Sequence, residues 1–139
     1  MVAWYQPASR SSVSQRDAGQ AEELNMDYLV LNREELQHDG NTYEFQGYQY
    51  EDTNVSFIWV DMAPGERVRL HKHPYQEIFI IQEGSATYTV GSATLEARAG
   101  QIVIVPPETP HKFTNTGEGP LRQVDIHLNK QFITHWLED

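Results

Sequence analysis

The sequence predicts a single all-β domain, a barrel or sandwich of short strands. Short apolar or alternating runs follow one another from residue 26 onward, turn residues separate them, and 139 residues give room for one ordinary domain. The runs occupy residues 28–31, 43–50, 55–62, 78–82, 86–90, 102–105 and 121–128. Turn-forming residues lie between them at 38–41, 63–65, 83–85, 90–92, 98–100 and 117–120.

The two ends of the chain depart from this pattern. Residues 1–25 contain a polar, serine-rich stretch with few large apolar side chains, which predicts a flexible arm ahead of a barrel domain at residues 26–139. The spacing at the other end predicts a short C-terminal helix that caps one end of the barrel. Its apolar residues are Phe132, Ile133, Trp136 and Leu137.

Composition narrows the partners and the chemistry. The net charge of −10, without a cluster of basic residues, argues against nucleic acid as a partner. No apolar run approaches the roughly 18 residues that span a bilayer, so no membrane association is expected, and the N-terminus lacks the pattern of a secretory signal, which favours the cytoplasm. The chain has no cysteine, so imidazole, carboxylate, amide or water must hold any metal.

Four residues form a candidate metal-binding group. His71 and His73 alternate in an extended segment, so their side chains project to the same face from α-carbons about 6.5 to 7 Å apart. Glu77 follows a Pro-Tyr-Gln segment that can turn the chain into a neighbouring antiparallel strand, beside the two imidazoles. His111 follows a proline-rich turn near the end of the strand region and is the natural fourth ligand.

The segments 65–84 and 100–115 resemble the two conserved motifs of the cupin superfamily. The first motif is glycine, five residues, His-x-His, three residues, glutamate, six residues and glycine, and this segment matches it completely. The second is matched at Gly100, Pro106, His111 and Asn115, whereas Glu108 stands where the motif has glycine. The resemblance is to small single-domain bacterial members, and it implies a double-stranded β-helix, the cupin jelly-roll barrel.

The resemblance also implies one divalent transition metal held by His71, His73, Glu77 and His111, with open positions for a ligand. This donor set suits Fe, Mn, Ni, Cu or Zn, and the sequence does not choose among them. A small-molecule metalloenzyme of the dioxygenase, isomerase or cyclase type is expected, acting on an oxygenated organic substrate, with Glu77 also available as a general base. The alternative is a non-enzymatic module that binds or senses a metabolite or metal.

Strand alternation nominates the surroundings of the metal. Phe79, Ile81 and Phe113 share a face with the ligands, so they either line a substrate pocket or fill the core. Arg69 shares the face of His71 and either neutralises a substrate carboxylate or extends into water. His127 has apolar neighbours of opposite alternation, so it is predicted to point outward if Val124, Ile126 and Leu128 fill the barrel. By analogy with one-domain cupins, a homodimer is expected.

Overall fold

The computed structural model describes residues 27–139, and all its strands lie in one compact unit, Leu36–Asp139. The predicted arm at residues 1–25 lies outside the described residues. The all-β prediction is confirmed, and the only helical segments among the described residues are two short 3-10 turns, Arg33–Glu35 and Gly47–Gln49. The strands are β1 (Gln37–Asp39), β2 (Thr42–Gln46), β3 (Ser56–Met62), β4 (Arg67–Lys72), β5 (Glu77–Glu83), β6 (Ser85–Val90), β7 (Ala93–Arg98), β8 (Ile102–Val105), β9 (His111–Thr114), β10 (Leu121–His127) and β11 (His135–Trp136).

The strands form two antiparallel sheets. One has the order β1-β2-β3-β10-β5-β8, and the other has the order β11-β4-β9-β6-β7. The chain moves from one sheet to the other between β3 and β4 and returns between β4 and β5, as expected of a jelly roll. Strands β4 and β5, which carry His71 and Glu77, therefore belong to opposite sheets.

Alternating side chains produce the hydrophobic core. In β5 and β6 every second residue is buried, so one face of each strand turns inward while the other stays partly exposed. Ten residues make up the buried cluster: Val60, Met62, Phe79, Ile81, Ala86, Tyr88, Ala97, Val105, Phe113 and Leu121. Because this cluster draws on both sheets, its burial holds them together.

Two strand predictions need correction. Residues 28–31 are irregular and mostly exposed, because an apolar run does not become a strand unless a neighbouring strand completes its hydrogen bonds. Conversely, β7 was not predicted. It forms as an edge strand paired only with β6, and its mostly exposed, mixed side chains carry little apolar alternation.

The predicted C-terminal helix is wrong, because the segment adds a strand to the sheet edge instead. Within β11, His135 pairs with Lys72 and Trp136 with His71, and the Leu137 N–H donates to the Leu70 carbonyl at 2.9 Å. A helix would have buried its apolar stripe, yet Trp136 remains about half exposed. Pairing with β4 therefore overrides the helical spacing.

Among residues 27–139 no helix is long and apolar enough to cross a membrane.

The turn before β9 keeps its shape despite the motif departure at Glu108. Glu108 has φ = 60°, in the left-handed region that glycine adopts without strain. Its N–H donates to the His73 carbonyl at 2.7 Å, and its carboxylate lies 3.2 Å from Nζ of Lys72. The glutamate thus accepts the glycine conformation, and this turn delivers His111 to the start of β9.

We expect Glu108→Gly to stabilise the protein by about 1 kcal/mol, because it removes the left-handed strain that a side chain brings. The exposed Lys72 ion pair that it also removes contributes little. Urea unfolding measures the difference. Glu118→Gly is the matched control, since Glu118 has no positive φ and its replacement only increases the freedom of the unfolded chain. Equal destabilisation by both substitutions would contradict this account of the turn.

Candidate metal centre

The strand pairing brings the four candidate ligands together. His71 in β4 lies directly opposite His111, the first residue of β9. His73 follows β4 by one residue, with the same alternation as His71. Glu77 is the first residue of β5, in the facing sheet. One pair of neighbouring strands and one strand of the opposite sheet thus supply the group.

The four side chains form a compact, buried cluster, as expected of a metal-binding group. One nitrogen from each histidine and a carboxylate oxygen of Glu77 all lie within 4.8 Å of one another. Oε1 of Glu77 is 2.8 Å from Nε2 of His111 and 3.0 Å from Nε2 of His73. None of the four side chains is more than a few per cent exposed.

Backbone carbonyls set the orientation of three imidazoles. Nδ1 of His71 lies 2.7 Å from the Arg69 carbonyl, and Nδ1 of His111 lies 2.8 Å from the Thr109 carbonyl. Nδ1 of His73 lies 2.9 Å from the carbonyl of Ile133. A carbonyl only accepts, so each Nδ1 carries the proton and each Nε2 presents a lone pair to the centre. This is the tautomer that a metal requires.

The pKa shifts of His71 and Glu77 favour the protonation states that bind a metal. Burial, together with the neighbouring His111 and His73, lowers the pKa of His71 to about 4, so this imidazole is neutral at pH 7. Burial alone would raise the pKa of Glu77, but hydrogen bonds from the imidazoles of His111, His127 and His73, in the forms that carry a proton on Nε2, outweigh it and hold that pKa well below its ordinary value. A neutral imidazole and an ionised carboxylate are the forms that bind metal.

The donor atoms fit a divalent transition ion. Nε2 of His73 is fully buried and makes no hydrogen bond, although a buried polar nitrogen normally has a partner. Three imidazole nitrogens and one carboxylate oxygen form a mixed set typical of such ions, and an ion among them would satisfy this nitrogen. The protein therefore contains a His₃Glu metal-binding group for one divalent transition metal.

A cavity of about 490 Å³ adjoins the group. His71, His73 and Glu77 line it, whereas His111 lies behind them, against the ring of Phe79 at a centroid distance of 6.0 Å. The volume suits a small organic molecule. The same wall that carries the ligand atoms is therefore open to such a molecule.

The predicted pocket residues are divided between the cavity and the core. Phe113 lines the cavity and also belongs to the core cluster, whereas Phe79 and Ile81 are core residues absent from the lining. Arg69 lines the cavity, with its guanidinium 4.4 Å from the centre of the Trp136 ring. One N–H of that guanidinium, on Nη1, donates to the Glu138 carbonyl at 3.2 Å.

The prediction that His127 points outward is wrong. His127 is buried, lines the cavity, and places Nε2 3.0 Å from Oε2 of Glu77. The inward face of β10 carries polar residues, and the apolar Val124 and Ile126 lie on its other face, where they pair with Trp59 and Phe57 across β3. Apolar alternation therefore pointed to the wrong face of this central strand.

A row of hydrogen-bonded polar side chains, which begins at Tyr88 in β6 and continues along β10, was also missed. The Tyr88 hydroxyl donates to Oε1 of Gln123, whose amide donates to Oδ1 of Asp125 at 2.6 Å. Asp125 lines the cavity, and burial together with the charge of Glu77 raises its pKa well above the ordinary value. The sequence signal was the polar alternation Gln123, Asp125, His127, which puts three polar side chains on one face of a strand.

Known proteins match both the sequence and the fold. Over 74 residues, 52% of this chain and 59% of the other, the chain is 39% identical to the uncharacterized protein MJ1618 of Methanocaldococcus jannaschii. Over 69 residues, 49% and 44% of the two chains, it is 38% identical to the polyketide synthase CurC of Streptomyces cyaneus. The chain spans about half the length of these curated relatives.

A solved structure shares the fold. It is oxalate decarboxylase of Bacillus subtilis, described for its Mn(II) centres, with a TM-score of 0.65 at 24% identity over 73% of this chain and 29% of that one. The family described as "Cupin domain" matches residues 58–127, half of the chain and all four residues of the metal-binding group. The strand order, the two motifs and this match together show that the chain belongs to the cupin family.

Proposed function

We propose that this protein is a metal-dependent enzyme that acts on a small oxygenated organic molecule, in a reaction of the dioxygenase, isomerase or cyclase type. The observation that carries the proposal is the position of the donor group. Three of its four side chains form part of the wall of a cavity of about 490 Å³. A ligand in that cavity has direct access to the metal.

Two arginines on the cavity wall can bind an anionic oxygen ligand. Arg67 and Arg69 line the cavity, and the Glu138 carbonyl engages one of the N–H groups of Arg69. A guanidinium has five N–H groups, so donors remain for a carboxylate or enolate. The acidic lining residues Asp39 and Glu44 add acceptors for hydroxyl groups. We expect α-oxo acids, enolates or phenolates as substrates.

The metal supplies Lewis-acid polarisation of an oxygen atom and, for a redox-active ion, electron exchange. The side chains provide the rest of the chemistry. Trp136 presents a ring at the cavity wall, against which a planar substrate can stack, and Arg69 lies over that ring. Burial of the ligand group excludes water from the reacting atoms.

The names of the similar proteins agree with this chemistry. Oxalate is a small dicarboxylate, and the decarboxylase that shares the fold is described with Mn(II) centres. Polyketides are oxygenated carbon chains, and a polyketide synthase is among the sequence relatives. Both point to oxygen-rich anionic compounds.

In this proposal Glu77 is first a metal ligand. A carboxyl group whose pKa lies well below its ordinary value is a weak base, because it holds a proton poorly. Proton transfer by Glu77 is therefore less favourable than the ligand role. Asp125, with a raised pKa at the cavity wall, is better suited to exchange a proton with a bound substrate.

Self-association is a further part of the proposal. Ile102 and Ile104 lie on β8, the edge strand of the first sheet, and their side chains are 62% and 55% exposed. Edge strands with exposed apolar side chains pair readily with another chain. A homodimer through this edge would cover both residues.

The metal itself is the first point to test. Protein purified without a metal-affinity column is expected to carry about one divalent transition ion per chain, and His71→Ala is expected to lose most of it, because one of four donors is gone. Elemental analysis measures the stoichiometry. His38→Ala is the control, since His38 stacks on Tyr43 and neither residue lines the cavity. Wild-type protein that cannot be loaded with any such ion would contradict the proposed function.

Turnover tests the enzymatic part. We expect metal-loaded protein to convert at least one member of a panel of oxalate, α-oxo acids, 1,3-diketones and catechols. We expect Arg69→Met to raise KM for an anionic substrate about tenfold or more, because it removes a charged hydrogen-bond donor and keeps the aliphatic stem. Lys130→Met is the control, since Lys130 pairs with Asp52 outside the cavity lining. Tight binding without conversion of any compound would favour the non-enzymatic alternative.

A further inference from the structure

A fourth buried imidazole contacts the ligand carboxylate. His127 is 3% exposed, and its Nε2 lies 3.0 Å from Oε2 of Glu77, the oxygen that is not shared with His73 and His111. Nε2 makes no aligned hydrogen bond in this arrangement. A buried nitrogen so close to an ionised oxygen must therefore serve either as a donor to that oxygen or as a ligand to the metal.

The partner of Nδ1 separates these two roles. In the three ligand histidines, Nδ1 faces a backbone carbonyl, which only accepts, so Nε2 is left with a lone pair. In His127, Nδ1 lies 2.7 Å from the hydroxyl of Tyr75, which can also donate. A donating hydroxyl makes Nδ1 the acceptor and leaves the proton on Nε2.

The surroundings of Tyr75 show where its hydroxyl proton goes. The Ile133 N–H donates to the hydroxyl oxygen at 3.2 Å, so one lone pair of that oxygen already accepts a hydrogen bond. The other nearby nitrogen, Nδ1 of His73 at 3.4 Å, uses its own proton on the Ile133 carbonyl and cannot accept another. Nδ1 of His127 is the remaining close acceptor for the tyrosine proton.

We propose that His127 is a positioning residue of the metal centre: its Nε2–H holds Oε2 of Glu77, so that Glu77 offers only Oε1 to the metal, and Tyr75 fixes the imidazole in this tautomer. This inference rests on the metal centre of the proposed function but not on turnover. The 3.0 Å separation already lies within hydrogen-bond range, so the proposed hydrogen bond requires a change of angle and not of distance.

The consequence concerns the open side of the metal. Glu77 and His127 both line the cavity, so their contact belongs to the wall along which a substrate arrives. Without His127, Oε2 loses its donor and is free to bind the metal as a second oxygen of a chelating carboxylate. That change would occupy a position otherwise available to a bidentate substrate. His127 thereby keeps the cavity side of the metal accessible.

The test compares His127→Leu, His127→Gln and Tyr75→Phe, with His38→Leu as the surface control. Mn(II) titration gives the metal affinity, pulsed EPR of the Cu(II)-loaded proteins counts the coordinated imidazoles, and oxalate titration of the Mn(II)-loaded proteins measures binding of a bidentate anion. None of these measurements requires turnover. Far-UV circular dichroism checks that each variant is folded.

We expect His127→Leu to weaken Mn(II) binding about 10- to 100-fold, the range typical of residues that orient metal ligands, and to leave three coordinated imidazoles. It should weaken oxalate binding further, because a chelating Glu77 competes for the same side. His127→Gln keeps an N–H donor and should recover most of both affinities, Tyr75→Phe should lie between, and His38→Leu should match wild type.

Three outcomes would overturn the inference. A count that falls from four imidazoles in wild type to three in His127→Leu would make His127 a metal ligand. Unchanged metal and oxalate affinities in His127→Leu would make it a space-filling residue. Wild-type protein that binds no metal would refute the proposed function and this inference together, whereas the first two outcomes leave the proposed function standing.

Discussion

The structure depends on one constraint, the burial of an ionised carboxylate at the centre of a small barrel. Glu77 is 2% exposed, and an isolated charge in such a place is costly unless hydrogen bonds or a metal compensate for it. Imidazoles from β4, β9 and β10 surround it, so strands of both sheets converge on this single side chain. The jelly roll supplies that convergence because it brings β4 and β9 opposite β5 and β10.

The same arrangement closes the metal site on one side and opens it to the cavity on the other. Backbone carbonyls hold the three ligand imidazoles with their lone pairs toward one point, and the hydrophobic cluster closes the side behind His111. The opposite side opens into the cavity, where Arg69 contributes a guanidinium and Asp125 a carboxyl group. A metal held there is shielded on one side and reactive on the other, which is the basis of the proposed chemistry.

The sequence predicted the ligand group because part of its geometry is local and the resemblance to the two cupin motifs implied the rest. His71 and His73 share a face through strand alternation, and the turns at both motifs fix where Glu77 and His111 enter their strands. The class of fold followed from the repeated short runs and turns. These features depend on neighbours in the chain, and a single sequence records them directly.

The failures came from contacts between distant segments. His127 was assigned to the outer face because Val124 and Ile126 looked like core residues, but the sheet has an apolar ladder on that face as well. The C-terminal segment showed helical spacing, yet it pairs with the edge of β4 as strand β11. Tyr75, which orients His127 from 52 positions away, carried no local signal at all.

The most direct test of the account is the anomalous diffraction of metal-loaded crystals, recorded at the absorption edge of the bound ion. We expect one peak about 2.0 to 2.2 Å from Nε2 of His71, His73 and His111 and from Oε1 of Glu77, with Nε2 of His127 in contact with Oε2 and not with the metal. A peak elsewhere in the barrel, or none after loading, would contradict it.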